Sequence, residues 1–331
     1  MMEIDLEELL DNFEKHLRVL RGLQASSTGR YRAHVGEFFK WRAGNAQDGP
    51  LSSITLRDIE SYMTWCFYRG NGNQARRTKL VALQSFFRYA VYAGILAADP
   101  TKDIPRPRAD KTMMHTFTRE EVLRLFAQID ITREKGLRDA VVLIFAAFAG
   151  FRISEIIHFN LDHITDDGKD LDLHVIKTKK GENRTVYLWK SPSRFVRRLL
   201  SARLADRDAR GSDPLFVSYH RNGLPRGNRR ITAPVLDRLL KELAQRAGIR
   251  KPAIKMHMLR ATSANTLQSV RGYTLPAIME RMGWKDLSTA GRYLVHRERI
   301  HHEYKSLHEY WFDFTKIWTK GINNPLDLES E

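Results

Sequence analysis

The chain has 331 residues, 42% of them hydrophobic and 10% aromatic, enough for two cores, so two domains are the default expectation. Lys and Arg outnumber Asp and Glu by 55 to 39, and the resulting net charge of +16 suits a polyanionic partner, of which nucleic acid is the commonest. A ribosomal or membrane-surface protein would also carry such an excess. The single cysteine, Cys66, excludes an intramolecular disulfide and a cysteine-rich zinc module, and it reads as a buried thiol in the apolar run Tyr62 to Phe67. The start, Met1-Met2-Glu3-Ile4-Asp5-Leu6, is acidic and amphipathic, unlike a secretory signal. No run approaches about 18 uninterrupted apolar residues, so no membrane span and no membrane partner are expected. The chain reads as soluble and cytoplasmic.

In chain order, residues 3–21 and 27–43 carry apolar residues at helical spacing: Leu6, Leu9, Leu10 and Phe13, then Tyr31, Val35, Phe38, Phe39 and Trp41. Ala25-Ser26-Ser27-Thr28 between them supplies turn and N-cap chemistry. After a Gly/Asn/Asp/Pro break, Thr55 caps a third helix from about 56 to 68. A turn at Gly70-Asn71-Gly72-Asn73 precedes a fourth from about 74 to 93, which Gly94 stops. These helices, closed by Asp99-Pro100, make an all-α domain over residues 1–100. Residues 101–115, with Pro105, Pro107, Lys102, Arg106, Arg108 and Lys111, read as an extended basic linker outside either core. Thr118-Arg119-Glu120-Glu121 is a capping box that opens the next domain, residues 116–300. There an apolar helix at about 137–149 ends at Gly150, and strands at 171–176 and 184–189 flank the turn Lys177-Thr178-Lys179-Lys180-Gly181. From about 192 to 320 the pattern is mostly helical. The fold class is therefore mainly α with a small β-sheet, an N-terminal helical domain followed by an α+β domain, with a tail over residues 301–331.

Four separated segments stand out. They are Gly150-Phe151-Arg152-Ile153-Ser154-Glu155-Ile156, the lysine turn, His257-Met258-Leu259-Arg260, and Gly283-Trp284-Lys285-Asp286-Leu287-Ser288-Thr289 leading to Tyr293. Each alone has an ordinary structural reading. Arg152 could be a surface ion-pair partner, the lysine run a solvated turn, and Tyr293 a half-buried aromatic. His257 and Arg260, three apart, share a helical face, as many pairs do by chance.

Together and in this order the segments resemble the tyrosine recombinase (phage integrase-like) family. G-[FL]-R-x-S-E-[IL] follows an apolar helix, H-x-L-R comes about a hundred residues later, and [LM]-G-[HW] precedes the tyrosine by nine or ten. Asn183-Arg184-Thr185-Val186, Pro214-Leu215-Phe216-Val217 and Ala247-Gly248-Ile249 add to the likeness. So do Ser85-Phe86-Phe87-Arg88-Tyr89 and Asp99-Pro100, which are similar to the family's SAM-like core-binding domain.

The resemblance implies a DNA strand-exchange enzyme in which Tyr293 is the nucleophile. It would store the bond energy as a 3′-phosphotyrosine, so that rejoining needs no ATP, and strands would be exchanged through a Holliday junction. Arg152 and Arg260 would clamp the scissile phosphate, for which guanidinium forks are suited. The family's lysine, which protonates the leaving 5′ oxygen, falls on Lys179 in the pattern T-K-x-G-x-x-R, with Lys177 and Lys180 as close alternatives. His257 would help bind phosphate and handle protons. Trp284 stands where the family has His or Trp, and its indole N–H can position but cannot shuttle a proton. Glu155 either orients Arg152 or serves as a structural cap or ion-pair partner. No residues cluster as a metal site and no cofactor is expected. Ala261, directly after the second arginine, and Asn265 depart from the family's usual polar residue and Thr. They count against close membership of the branch that resolves chromosome dimers.

The expected partner is double-stranded DNA bearing specific recombination sites. Arg76, Arg77, Lys79 and Arg88, with Gln74, lie on the fourth helix; Arg226, Arg229 and Arg230, with Arg221, surround Gly223 and Gly227. All are candidates for DNA contact, against the plainer reading of solvated basic surface. The tail carries an aromatic stripe, Tyr304, Leu307, Tyr310, Trp311, Phe314, Ile317 and Trp318, that either packs on its own domain or, as the resemblance implies, docks on a neighbouring protomer of a homo-tetramer on two sites. Two alternatives remain open at this point: a type IB topoisomerase-like activity that relaxes DNA without pairing sites, and a catalytically silent DNA-binding derivative.

Overall fold

The computed structural model describes residues 5–45, 49–108, 114–168, 170–176, 183–188, 191–220, 222–269, 274–287 and 290–291. The chain divides into two compact units, Met1–Thr112 and Met113–Glu331. Among the described residues no helix is long and apolar enough to cross a membrane.

The first unit is built from α1 (Leu6–Val19), α2 (Ala25–Gly44), α3 (Leu56–Tyr68) and α4 (Asn73–Tyr92). The α1 helix starts later than the apolar periodicity suggests because Asp5 caps it, accepting from the Glu7 N–H at 3.1 Å. The α2 helix starts earlier. Ser26, Ser27 and Thr28 are inside it rather than capping it, and the buried Thr28 hydroxyl donates to Glu14 Oε1 at 2.9 Å on α1. A tertiary partner has thus overridden the local capping preference. Thr55 opens α3 as its composition predicts, its N–H donating to Asp58 Oδ2 at 2.7 Å. Phe13, Phe38, Tyr62, Phe86 and Phe87 are fully buried, and their rings meet mostly edge to face, Phe13 against Phe86 and Phe38 against Tyr62.

The basic stretch after Pro100 is not a free connector over its first part. Thr101 is buried, Ile104 packs on the aromatic core, Arg106 Nε donates to Gln84 Oε1 at 2.8 Å, and Arg77 donates to the Pro107 carbonyl at 3.2 Å. Through residue 107 it lies along α4.

The second unit opens with the expected capping box: the Thr118 N–H donates to Glu121 Oε2 at 2.7 Å at the start of α5 (Arg119–Phe126). Its central helix, α6 (Glu134–Ala147), is buried at every residue from Leu137 onward. Phe145 on α6 gathers Phe151, Phe159 and Phe216 edge-on at 5.2, 5.0 and 5.2 Å. A short α7 (Ile153–Ile157) follows. Then β1 (Ile164–Asp166), β2 (Leu171–Val175) and β3 (Arg184–Leu188) form an antiparallel sheet in that order, with Leu171, Leu173, Val175, Val186 and Leu188 buried. Alternation predicts β2 and β3; β1 is too short to show it. Beyond come α8 (Ser191–Leu204), α9 (Ala233–Arg246), α10 (Met256–Ser269) and α11 (Leu275–Met282).

Between α8 and α9 the expectation of a mostly helical stretch is corrected. β4 (Val217–Tyr219) and β5 (Pro225–Arg230) pair antiparallel into a second, two-stranded ribbon. β5, Pro225-Arg226-Gly227-Asn228-Arg229-Arg230, is exposed almost throughout, so it carries no hydrophobic alternation to betray a strand. The class remains mainly α with small sheets, as composition and periodicity indicate.

Candidate active site

The site forms where three loops meet. The chain leaves α6, turns at Gly150 with φ +71°, buries Phe151, and places Arg152 as the N-cap of α7. Three residues on, Glu155 folds back onto that N-cap: its carboxylate accepts from the Arg152 N–H and from Arg152 Nη1, each at 2.8 Å. Arg152 Nη2 donates to the Gly283 carbonyl at 2.8 Å, and the Arg152 side chain stays 37% exposed. Arg260 comes from α10 and is 1% exposed; its fork donates to the carbonyls of Gly150 and Met282, and Nη1 lies 3.8 Å from Glu155. The two arginines are therefore cross-fastened. Each is held by the backbone of another motif's loop, so neither can move without disturbing the others.

A third guanidinium completes the cluster. Arg184, the first residue of β3, donates to both Glu155 oxygens at 3.0 and 2.9 Å, and its Nε donates to the Arg281 carbonyl at 2.9 Å. Burial of Glu155 would by itself raise its pKa. The hydrogen bonds and charge of Arg184, the Arg152 N–H and the charge of Arg260 outweigh that and hold the carboxyl at about 2. One ionised carboxylate among three guanidinium groups leaves two positive charges in excess, a floor suited to an anion.

His257 is exposed at the start of α10, one turn before Arg260. Trp284 is 6% exposed and follows directly on the Gly283 carbonyl that holds Arg152. It packs with Ala261, Ala264, Leu267, Ile278 and Met282, so Ala261, one of the two departures from the family pattern, is a small residue in the cluster that seats this indole. Arg184, Thr185, Gly283, Trp284 and Lys285 line a cleft of about 550 Å³ between β3 and α11. Among the described residues no group of three or more His, Cys, Asp or Glu side chains could hold a metal ion.

Of the residues singled out from sequence, the structure brings Arg152, Glu155 and Arg260 together, with Trp284 adjoining and His257 on the same helix. Lys177, Lys179, Lys180, Arg221, Tyr293 and the aromatic tail lie outside the described residues. Arg184 was missed as a site residue. Its sequence signals are its place as the last letter of T-K-x-G-x-x-R and within Asn183-Arg184-Thr185-Val186.

The basic candidates for DNA contact divide. Lys79 is 8% exposed and donates to Glu37 Oε1 at 2.6 Å inside the helical unit, so its charge is spent there. Arg230 is half-buried and ties β5 to the loop after α7, donating to the Ile157 carbonyl at 3.3 Å and to Asn160 Oδ1 at 2.5 Å, and burial pushes its pKa down. Both side chains are engaged within the protein. Arg76 lies over the Phe67 ring at 5.0 Å, and Arg77 holds Pro107. Arg88, Arg226 and Arg229 are exposed.

The profile of the phage integrase family matches residues 115–299, more than half of the chain. That of the phage integrase N-terminal SAM-like domain matches residues 10–94. The tyrosine recombinase XerD of Rhizobium meliloti is 30% identical over 260 residues, 76% of this chain and 79% of its own. XerD of Listeria monocytogenes is 26% identical over 310 residues, 92% of this chain and 99% of its own. Among solved structures, a lambda integrase dimer bound to a COC′ core site superposes with a TM-score of 0.69 at 16% identity, covering 91% of this chain and 99% of that one. On the extent of the family match and the order of its motifs, the chain belongs to the phage integrase family and is a tyrosine recombinase, an enzyme of site-specific DNA cleavage and rejoining.

Proposed function

We propose that the residues assembled here cleave and rejoin duplex DNA by phosphoryl transfer through Tyr293. The Tyr293 hydroxyl gives up its proton, which His257 takes, as its oxygen attacks the scissile phosphorus; the bond from phosphorus to the 5′ oxygen breaks, and a 3′-phosphotyrosine forms. The leaving 5′ oxygen takes its proton from Lys179, with Lys177 and Lys180 as the neighbouring alternatives. Arg152 and Arg260 hold the non-bridging oxygens, where charge builds as five-coordinate phosphorus forms. His257 assists with phosphate and protons, Trp284 positions, and Glu155 orients Arg152. A 5′ hydroxyl from the partner duplex then attacks the phosphotyrosine, releases Tyr293 and joins the exchanged strand. The step is isoenergetic in bond type and requires neither metal nor ATP.

The observation that carries this reading is the convergence of Arg152 and Arg260, far apart in sequence, on one buried carboxylate with positive charge in excess. Exposed Arg88 on α4 and Arg226 and Arg229 on β5 are the DNA contacts the reading favours, with Arg76 and Arg77 beside them. Lambda integrase, whose fold is similar, is solved as a dimer on a core site and as a tetramer on a Holliday junction. By that likeness this chain acts as a homo-tetramer on two DNA sites, its tail over residues 301–331 linking protomers. It works in the cytoplasm, on the DNA it rearranges.

The test is to incubate the protein with fragmented DNA from its source, denature, and recover covalently attached DNA, in parallel with Tyr293→Phe. DNA attached to the unchanged protein alone supports a phosphotyrosine enzyme, and sequencing it gives the target. Attachment that persists in Tyr293→Phe removes Tyr293 from its role. A product joining two recovered sites separates recombination from relaxation.

A further inference from the structure

Arg184 takes no part in the chemistry above, yet its guanidinium makes two hydrogen bonds to Glu155 where that of Arg152 makes one. Its side chain is 7% exposed, and all three guanidinium nitrogens are engaged, two on Glu155 and Nε on the Arg281 carbonyl. Both prongs of its fork are spent on the Glu155 carboxylate, whereas the fork of Arg260 rests on two backbone carbonyls. Arg152 is the opposite case: its side chain is 37% exposed, and of its guanidinium nitrogens Nη1 alone is on the Glu155 carboxylate while Nη2 is on the Gly283 carbonyl. Arg184 also pairs across the hairpin with Val175, the last partner before the lysine turn, so its contacts fasten the mouth of that hairpin to α7 and to the chain leading into Gly283.

We propose that Arg184 is a positioning residue for the phosphate clamp: by occupying both oxygens of Glu155 it limits the Arg152 guanidinium to a one-point contact with that carboxylate and keeps it turned toward the scissile phosphate. A buried carboxylate stripped of a donor is costly, and arginine and carboxylate favour the two-pronged fork when nothing competes. Without Arg184, Glu155 is open to a second prong, and Arg152 exchanges the bond from Nη2 to the Gly283 carbonyl for a fork on Glu155 and turns from the substrate. Arg184 thus acts on the reaction only through Glu155.

The inference rests on the recombinase reading, so its test has one arm that needs no DNA. In the first arm, single-turnover cleavage of the duplex recovered from the adduct is compared for Arg184→Gln, Arg184→Lys, Glu155→Gln and the double variant, with DNA affinity measured alongside. Arg184→Gln is expected to cleave ~10²-fold more slowly at unchanged affinity, the cost of a small displacement of a reacting-group contact. Arg184→Lys restores part of the rate, and adding Arg184→Gln to Glu155→Gln costs nothing further. A wild-type rate in Arg184→Gln, or losses that multiply in the double variant, overturns the proposal. In the second arm the Glu155 carboxyl of the DNA-free protein is titrated by carbon NMR. Its midpoint is expected to rise in Arg184→Gln; an unmoved midpoint overturns the contact. If the unchanged protein forms no DNA adduct, the recombinase reading fails and the titration alone decides this one. Arg184→Lys serves both arms should Arg184→Gln not fold.

Discussion

Gly283→Ala separates backbone strain from misplacement of the clamp. Gly283 ends α11 in the left-handed region at φ +62°, and its carbonyl accepts from Arg152 Nη2 at 2.8 Å. A Cβ there would stand 2.8 Å from Arg184 Nη1, 3.1 Å from Arg184 Cζ and 3.3 Å from Arg152 Nη1. Two costs follow. The left-handed conformation itself costs an L-residue about 1–2 kcal/mol, which in a unit of this size is a fall in Tm of roughly 2–8 °C. The second cost falls on the arginines. Arg184 is fastened at three nitrogens and cannot swing aside, so it and Arg152 both shift, and a displacement approaching 1 Å at a group that contacts the reacting phosphate costs ~10²-fold in rate. Gly248→Ala is the control: φ is +67°, and nothing lies within 4 Å of its added Cβ. Thermal unfolding and single-turnover cleavage are measured on both variants. Similar losses of Tm are expected in the two, with slow cleavage in Gly283→Ala alone. Equal cleavage rates in the two variants would refute the argument that Gly283 is required for the arginines rather than for the turn.

Glu155 makes the second unit acid-sensitive in a defined window. Its folded pKa lies below its ordinary value, so the stabilisation is full above pH 4.5 and is lost as pH falls toward about 2. The displacement amounts to roughly 3 kcal/mol. Denaturant unfolding at stepped pH should therefore show the stability gap between the unchanged protein and Glu155→Gln closing across that window; a constant gap would mean that the Glu155 charge is not what stabilises the cluster. On the DNA side, Arg226→Ala and Arg229→Ala should each leave folding intact and reduce the slope of log affinity against log salt by about 1. Lys79→Met should leave that slope alone and destabilise the helical unit by about 1–3 kcal/mol, because Glu37 loses its 2.6 Å partner. A reduced slope in Lys79→Met would return Lys79 to the DNA surface.

The division between what could be read in the sequence and what could not follows the range of the interactions. Helices α1, α3 and α4 and strands β2 and β3 announce themselves because each buries one face against a core, and the burial repeats at the period of the element; α6, buried at every residue from Leu137 onward, does so by its apolar run. The start of α2 does not, because the Thr28 hydroxyl is satisfied by Glu14 on another helix. Nor does β5, which buries almost nothing. The same rule sorts the basic residues. Lys79 falls in phase with Leu83, Phe86 and Ala90 on the buried side of α4, a helical position that its charge outweighs when it is counted among the DNA contacts. Arg230 has no such mark; only the loop after α7 makes it structural. At the site, Arg152 and Arg260 were legible because each lies within a short motif whose neighbours are close in sequence. Arg184 was not, because an arginine at the first position of a strand reads as an edge charge until Glu155, 29 residues earlier, is brought against it. The anion-attracting character of the site belongs to neither arginine motif alone. It arises because Glu155, a single carboxylate, is shared among three guanidinium groups, and it depends on the one that no motif-based reading would rank as part of the clamp.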